Sequence, residues 1–228
     1  MKRLLLAATA LLALAVTPAG ATTINANQIG QSGTVSFDGR IDDVTDPVAA
    51  GLGTNVTLTL TGHNTQQNTW TFGYSVTNTS TLPAYQTWGF GFNTSPLIQN
   101  ASMTGSVFNQ AQVGGIVDGG INTSSFCGNA GLNCLFGAGD GLAQGATTTG
   151  TLTLDLVGQG DSFNLTGMFV LYEQPFPFAL HDAVGLQTGQ LNLQAAVPEA
   201  STWFMMIVGF LGLGLLGARQ KLGGVRLA

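Results

Sequence analysis

Few side chains in this sequence are equipped for chemistry, and they lie far apart. Cys127 and Cys134 are the only cysteines, within "FCGNAGLNCLFG". The glycines and asparagines between them let a small ring close, and a disulfide is the expected state in a chain exported to an oxidising compartment. A zinc site would need two more ligands at suitable spacing, and no histidine lies near. His63 and His181 are the only histidines. His181-Asp182 could orient an imidazole toward a serine, but there is no G-x-S-x-G elbow, and neighbours on a strand point to opposite faces. Both histidines are read as solvated loop residues. Asp42, Asp43 and Asp46 lack the spacing and glycine of a calcium loop, so a polar turn before Pro47 is expected. No catalytic residue, metal ligand or cofactor is assigned.

The elements that would position these residues read as strands. In "TWTFGYSVTNTS", Trp70, Phe72, Tyr74 and Val76 alternate with Thr71, Gly73, Ser75 and Thr77. Period-2 alternation marks a strand with one buried face, and aromatic and β-branched residues suit it. "NVTLTLTG" places Val56, Leu58 and Leu60 on one face and threonines on the other. "QTWGFGFN" repeats the pattern with Trp88, Phe90 and Phe92, its glycines pointing to close packing or a bulge. Further strands are expected near residues 33–40, 104–108, 151–157, 162–172 and 190–195, separated by Gly, Asn, Asp and Pro. Residues 114–150, rich in glycine, read as an extended loop. No convincing helical period occurs in the body. Many strands with one apolar face each imply an all-β body, an antiparallel β-sandwich with Trp70 and Trp88 in its core.

Charge narrows the partners. Between residues 22 and 197 the only basic residue is Arg40, against many aspartates and Glu173. Nucleic acid is excluded as a partner, because phosphate binding needs Lys and Arg to displace counterions. The remaining basic residues sit at the two ends. "MKRLLLAATALLALAVTPAGA" has Lys2 and Arg3, an apolar stretch too short to span a bilayer, Pro18, and small residues where signal peptidase reads. Residues 1–21 are therefore expected to be a cleaved signal peptide, and residues 22–196 the folded body.

Residues 197–228 form the tail. From Ala200 to Ala218 it carries no charge, roughly 28 Å as a helix and close to a hydrocarbon core of about 30 Å. A transmembrane helix over 200–218 is expected, with Trp203 near its start at the interface and Arg219, Lys221 and Arg226 as the cytoplasmic stop. Gly209, Gly212, Gly214 and Gly217 leave one side small enough for a close partner helix.

The order of features in "VPEASTWFMMIVGFLGLGLLGARQK" resembles the PEP-CTERM sorting signal of Gram-negative bacteria, in its P-E-P-x-x-W-A form. The resemblance runs from Val197 to about Lys221 and carries the signal residues onto Pro198, Glu199 and Trp203. Ala200 stands where the family has a second Pro, and Phe204 where it has Ala. The resemblance implies recognition in the inner membrane by an exosortase, removal of the tail, and delivery of the body to the surface, often in producers of exopolysaccharide or biofilm. The body, with "WTFGYSVTNTS", a "GFGF" strand and a close cysteine pair, is similar to the cistern-family subgroup of these proteins, which implies no activity.

The expected function is that of a non-enzymatic exported surface or matrix protein, structural or adhesive and associated with exopolysaccharide. One alternative is a carbohydrate-binding module, which would show Trp70 or Trp88 on its surface. Another is a secreted hydrolase, which would gather His181 and two carboxylates in a cleft.

Overall fold

The computed structural model describes residues 20–41, 43–82, 85–115, 117, 121, 124–131, 134, 140–174 and 183–195. They form an all-β fold of two antiparallel sheets. The strands are β1 (Thr22–Asn25), β2 (Ser32–Phe37), β3 (Arg40–Ile41), β4 (Thr54–Asn64), β5 (Thr69–Asn78) and β6 (Gln86–Ser95). They continue with β7 (Ile98–Gly105), β8 (Gln110–Val113), β9 (Phe126–Asn129), β10 (Thr147–Leu156), β11 (Ser162–Glu173) and β12 (Ala183–Leu186). A one-turn 3-10 helix, Ala26–Gln28, follows β1. The five-stranded sheet runs β2-β4-β5-β10-β7, and the seven-stranded sheet runs β3-β12-β11-β6-β9-β8 with β1 also paired to β11.

The alternation in β5 puts every second side chain inside, so that Trp70, Phe72, Tyr74 and Val76 are buried. They meet the other sheet directly: Trp70 packs edge-on to Phe163 of β11 with ring centroids 5.0 Å apart, and Tyr74 lies 5.6 Å from Phe90 of β6. Such pairs add about 0.5–1.5 kcal/mol each beyond the area they bury. Val56, Leu58 and Leu60 from β4 and Leu152, Leu154 and Leu156 from β10 join them on the five-stranded side of this core, flanked by Val35 and Phe37 from β2 and Ile98 and Met103 from β7. Tyr74 reaches across β10 to donate to Phe108 O at 2.7 Å, and to Thr104 O at 3.2 Å. Its path explains Gly150, where an added Cβ would collide with Thr104 O and the Tyr74 hydroxyl.

β11 is buried on both faces from Met168 to Tyr172. Val170 and Tyr172 point between the sheets, whereas Phe169 and Leu171 join Trp88, Val117, Val184 and the two cysteines in a second apolar cluster. A continuous apolar run is the signature of a strand covered on both sides. Gly91 admits this packing, because a Cβ there would strike the Phe169 ring and Phe126 O. Trp88 is thus buried as expected but in this second cluster, since an irregularity in the β6–β11 pairing near Leu171 and Tyr172 shifts it out of step with Phe90 and Phe92.

Several expected elements differ. Residues 114–150 are not one loop: β9 is inserted between β6 and β8, and β10 begins at Thr147. All four β9 residues are buried, so no alternation announced the strand. Residues 190–195 form no named strand, only a bridge between Gln194 and Ser32. Residues 33–40 divide into β2 and β3, and the strand expected at 104–108 lies instead at Ile98–Gly105. Among the described residues no helix is long and apolar enough to cross a membrane. The expected signal peptide, apart from Gly20 and Ala21, and the expected helix at 200–218 lie outside the described residues.

Candidate functional site

Cys127 and Cys134 are joined in a disulfide with Cα atoms 6.3 Å apart, and both are buried. β9 supplies Cys127, whose neighbours Phe169 and Leu171 form the floor beneath the bond. Gln112 Oε1 accepts the Cys134 backbone N–H at 3.1 Å, tying the far end of the ring to β8. Both half-cystines are members of the second apolar cluster, so the bond is part of its packing.

His63 departs from the loop position expected of it. It sits on β4 and stacks on Trp70 with ring centroids 3.9 Å apart. The cause is a register shift between Leu60 and Gly62, which brings His63 opposite Trp70 instead of out to solvent. Its Nε2 is buried without a hydrogen-bond partner among the described residues. The Trp70 indole N–H donates to Asn68 Oδ1 at 2.9 Å, and Asn68 takes the left-handed conformation (φ 49) that turns β4 into β5.

The acidic turn is organised by the body's one basic residue. Arg40 donates to Asp46 O at 2.8 Å and pairs with Asp38 at 3.3 Å. Asp43 accepts the Thr45 N–H at 2.8 Å, as a polar turn before Pro47 requires. Asp42, His181 and Asp182 lie outside the described residues, as do the sorting residues Pro198, Glu199 and Trp203 and the stop residues Arg219 and Lys221. Among the described residues no group of His, Cys, Asp or Glu is placed to hold a metal ion.

Trp70 and Trp88 are both buried, so neither presents a ring to a sugar. The outer face of the five-stranded sheet is instead polar, with hydroxyls aligned row by row. Ser32, Thr59, Gly73, Thr151 and Thr104 stand in one cross-strand row, and Thr34, Thr57, Ser75 and Thr149 in another. Neighbouring hydroxyls bond across strands, Ser32 to Thr59 at 2.8 Å and Thr34 to Thr57 at 2.7 Å. One end of the face opens into a cleft of about 630 Å³ lined by Gln67, Thr69, Gln99, Asn100 and Asp155. There Thr69 donates to Asp155 Oδ1 at 2.7 Å and Asn100 to Oδ2 at 3.3 Å, so each carboxylate oxygen already accepts a bond. Nothing in the sequence singled this cleft out, because its residues come from separate strands. Only the alternating threonines signalled the face.

No protein-family model, curated protein or solved structure matches the chain.

Proposed function

We propose that this is an exported, non-enzymatic surface or matrix protein, held briefly in the inner membrane by its tail and released by an exosortase-type enzyme. The single observation that carries the reading is the order Pro198-Glu199, Trp203, an uncharged run to Ala218, then Arg219 and Lys221. Each part has a physical task. Trp203 sets the depth at the interface, the apolar run spans, and the positive end resists translocation. The buried disulfide supports the same reading, since such bonds persist in oxidising compartments. Signal peptidase would remove residues 1–21, and the sandwich would act as a structural or adhesive module associated with exopolysaccharide. C-terminal sequencing of protein taken from intact cells tests the reading. The surface form is expected to end near Val197–Ala200, and a surface form ending at Ala228 would overturn it.

A further inference from the structure

Gly62 and Gly73 lie on the outer side of the five-stranded sheet. Gly62 stands at the register shift after Leu60, where glycine suits a bulge, whereas Gly73 lies in regular pairing and nothing in the fold requires it to be glycine. Neither has the positive φ that favours glycine. A Cβ on Gly73 would meet only Thr61 at 3.7 Å and Thr59 at 4.0 Å, and one on Gly62 only Thr71 at 3.8 Å, which are ordinary contacts. Glycine inside a strand weakens it by roughly 0.5–1 kcal/mol relative to alanine, so its presence at the regular, open, outward position of Gly73 calls for another reason. One known reason is close approach of a ligand to the backbone. Register places these two glycines on a diagonal across β4 and β5: Gly62 pairs with Thr71, two residues from Gly73, and Gly73 pairs with Thr59 on one side and Thr151 on the other. The result is a shallow groove floored by backbone and walled by hydroxyls.

We infer that this groove and the cleft beyond it bind an uncharged polyhydroxyl chain, that is, a neutral glycan. Charge argues for it. The strands bring no cation to this face, and Asp155 has both oxygens engaged. A polyanion would find nothing to pair with, whereas hydroxyls and amides both donate and accept and so match a sugar hydroxyl in either sense. Shape separates the glycan from a planar crystalline surface such as ice. Strands stand about 4.8 Å apart with same-face residues about 6.8 Å apart, but sheets twist by about 20–25° per strand, and a jointed chain can follow that twist while a rigid lattice cannot. Without a stacking aromatic each sugar contributes little, so binding grows with chain length.

The inference deepens the adhesive part of the proposed function and fails separately from it, because a tail can be cut from a body that binds no glycan. The test is affinity electrophoresis of the full chain, in a zwitterionic detergent without sugar groups, through gels containing dextran, hydroxyethyl cellulose or polygalacturonate. Retardation by a neutral glucan and not by the polyanion is expected. Gly73→Thr should fill the groove and weaken retardation about tenfold while leaving the unfolding midpoint equal or higher. Should that variant unfold earlier, Thr59→Val with Thr151→Val replaces it, and the matching Ser variants should keep binding. The inference is overturned by no retardation in either glucan, by retardation in polygalacturonate instead, by groove variants that bind like the parent, or by ice-crystal shaping in place of glycan binding.

Discussion

Phe72 and Thr71 are chain neighbours with opposite duties. Phe72 is buried against Phe163 across the inter-sheet space, with ring centroids 6.3 Å apart, and Thr71 faces outward. Phe72→Ala should cost roughly 3–5 kcal/mol through lost burial and the cavity left behind, while Thr71→Ala should cost little. Denaturant unfolding of the two variants checks this, and equal small effects would remove the two-faced reading of β5. Tyr74 supplies a pH test. Burial pushes its phenol from 10.0 up to about 12, and burial also raises Tyr172. A raised acid favours the protonated, folded form. Its contribution is therefore whole below pH 10 and lost as pH climbs toward about 12. Stability measured across that window should fall for the parent and fall less steeply for Tyr74→Phe. Equal slopes would mean that Tyr74 ionises in the fold as freely as outside it.

At the scale of elements, β9 extends the seven-stranded sheet beside β6, and its disulfide packs with Trp88, Phe169 and Leu171 in the second apolar cluster. The disulfide bridges a sequence separation of 7, and chain entropy assigns so small a ring about 2.5 kcal/mol. Alkylation without reductant should label neither cysteine. Reduction, or Cys134→Ser, should lower stability by about that amount and loosen the packing around Trp88, Phe169 and Leu171, read as a rise in binding of an apolar dye. Unchanged stability after complete reduction would show that packing alone holds the loop. β5 was legible in advance because one of its faces meets the core and the other meets water. β9 was not, because burial of all four of its residues erases the contrast that period-2 reading depends on.

For the whole molecule, the core among the described residues runs from Ile24 to Leu193 and is built from the two sheets. On the proposed anchoring role, deleting Trp203–Ala228 should release a folded body into the periplasm or medium. Changing Arg219, Lys221 and Arg226 to Gln should weaken retention before cleavage, because the positive stop is lost. Fractionation of cells carrying each variant checks both outcomes. A truncated body that stays membrane-bound would contradict the anchoring role, and one recovered only as aggregate would show that the tail serves the fold.

The sequence by itself determined the class of the fold and the inward residues of β4 and β5, because alternation against a core is a local property of the chain. Composition also set the near absence of positive charge in the body, and spacing pointed to the pairing of Cys127 with Cys134. Tertiary structure alone decided the rest. Trp88 left the inter-sheet core and His63 turned onto Trp70 because each follows an irregularity in strand pairing, and a shift of one residue reverses every face beyond it. Thr69 and Asp155, 86 positions apart, meet at 2.7 Å only because β5 and β10 run side by side. The hydroxyl rows and the groove at Gly62 and Gly73 have the same origin. A strand's sequence says which side chains share a face, whereas register between strands says which of them become neighbours, and register is set by contacts between distant parts of the chain.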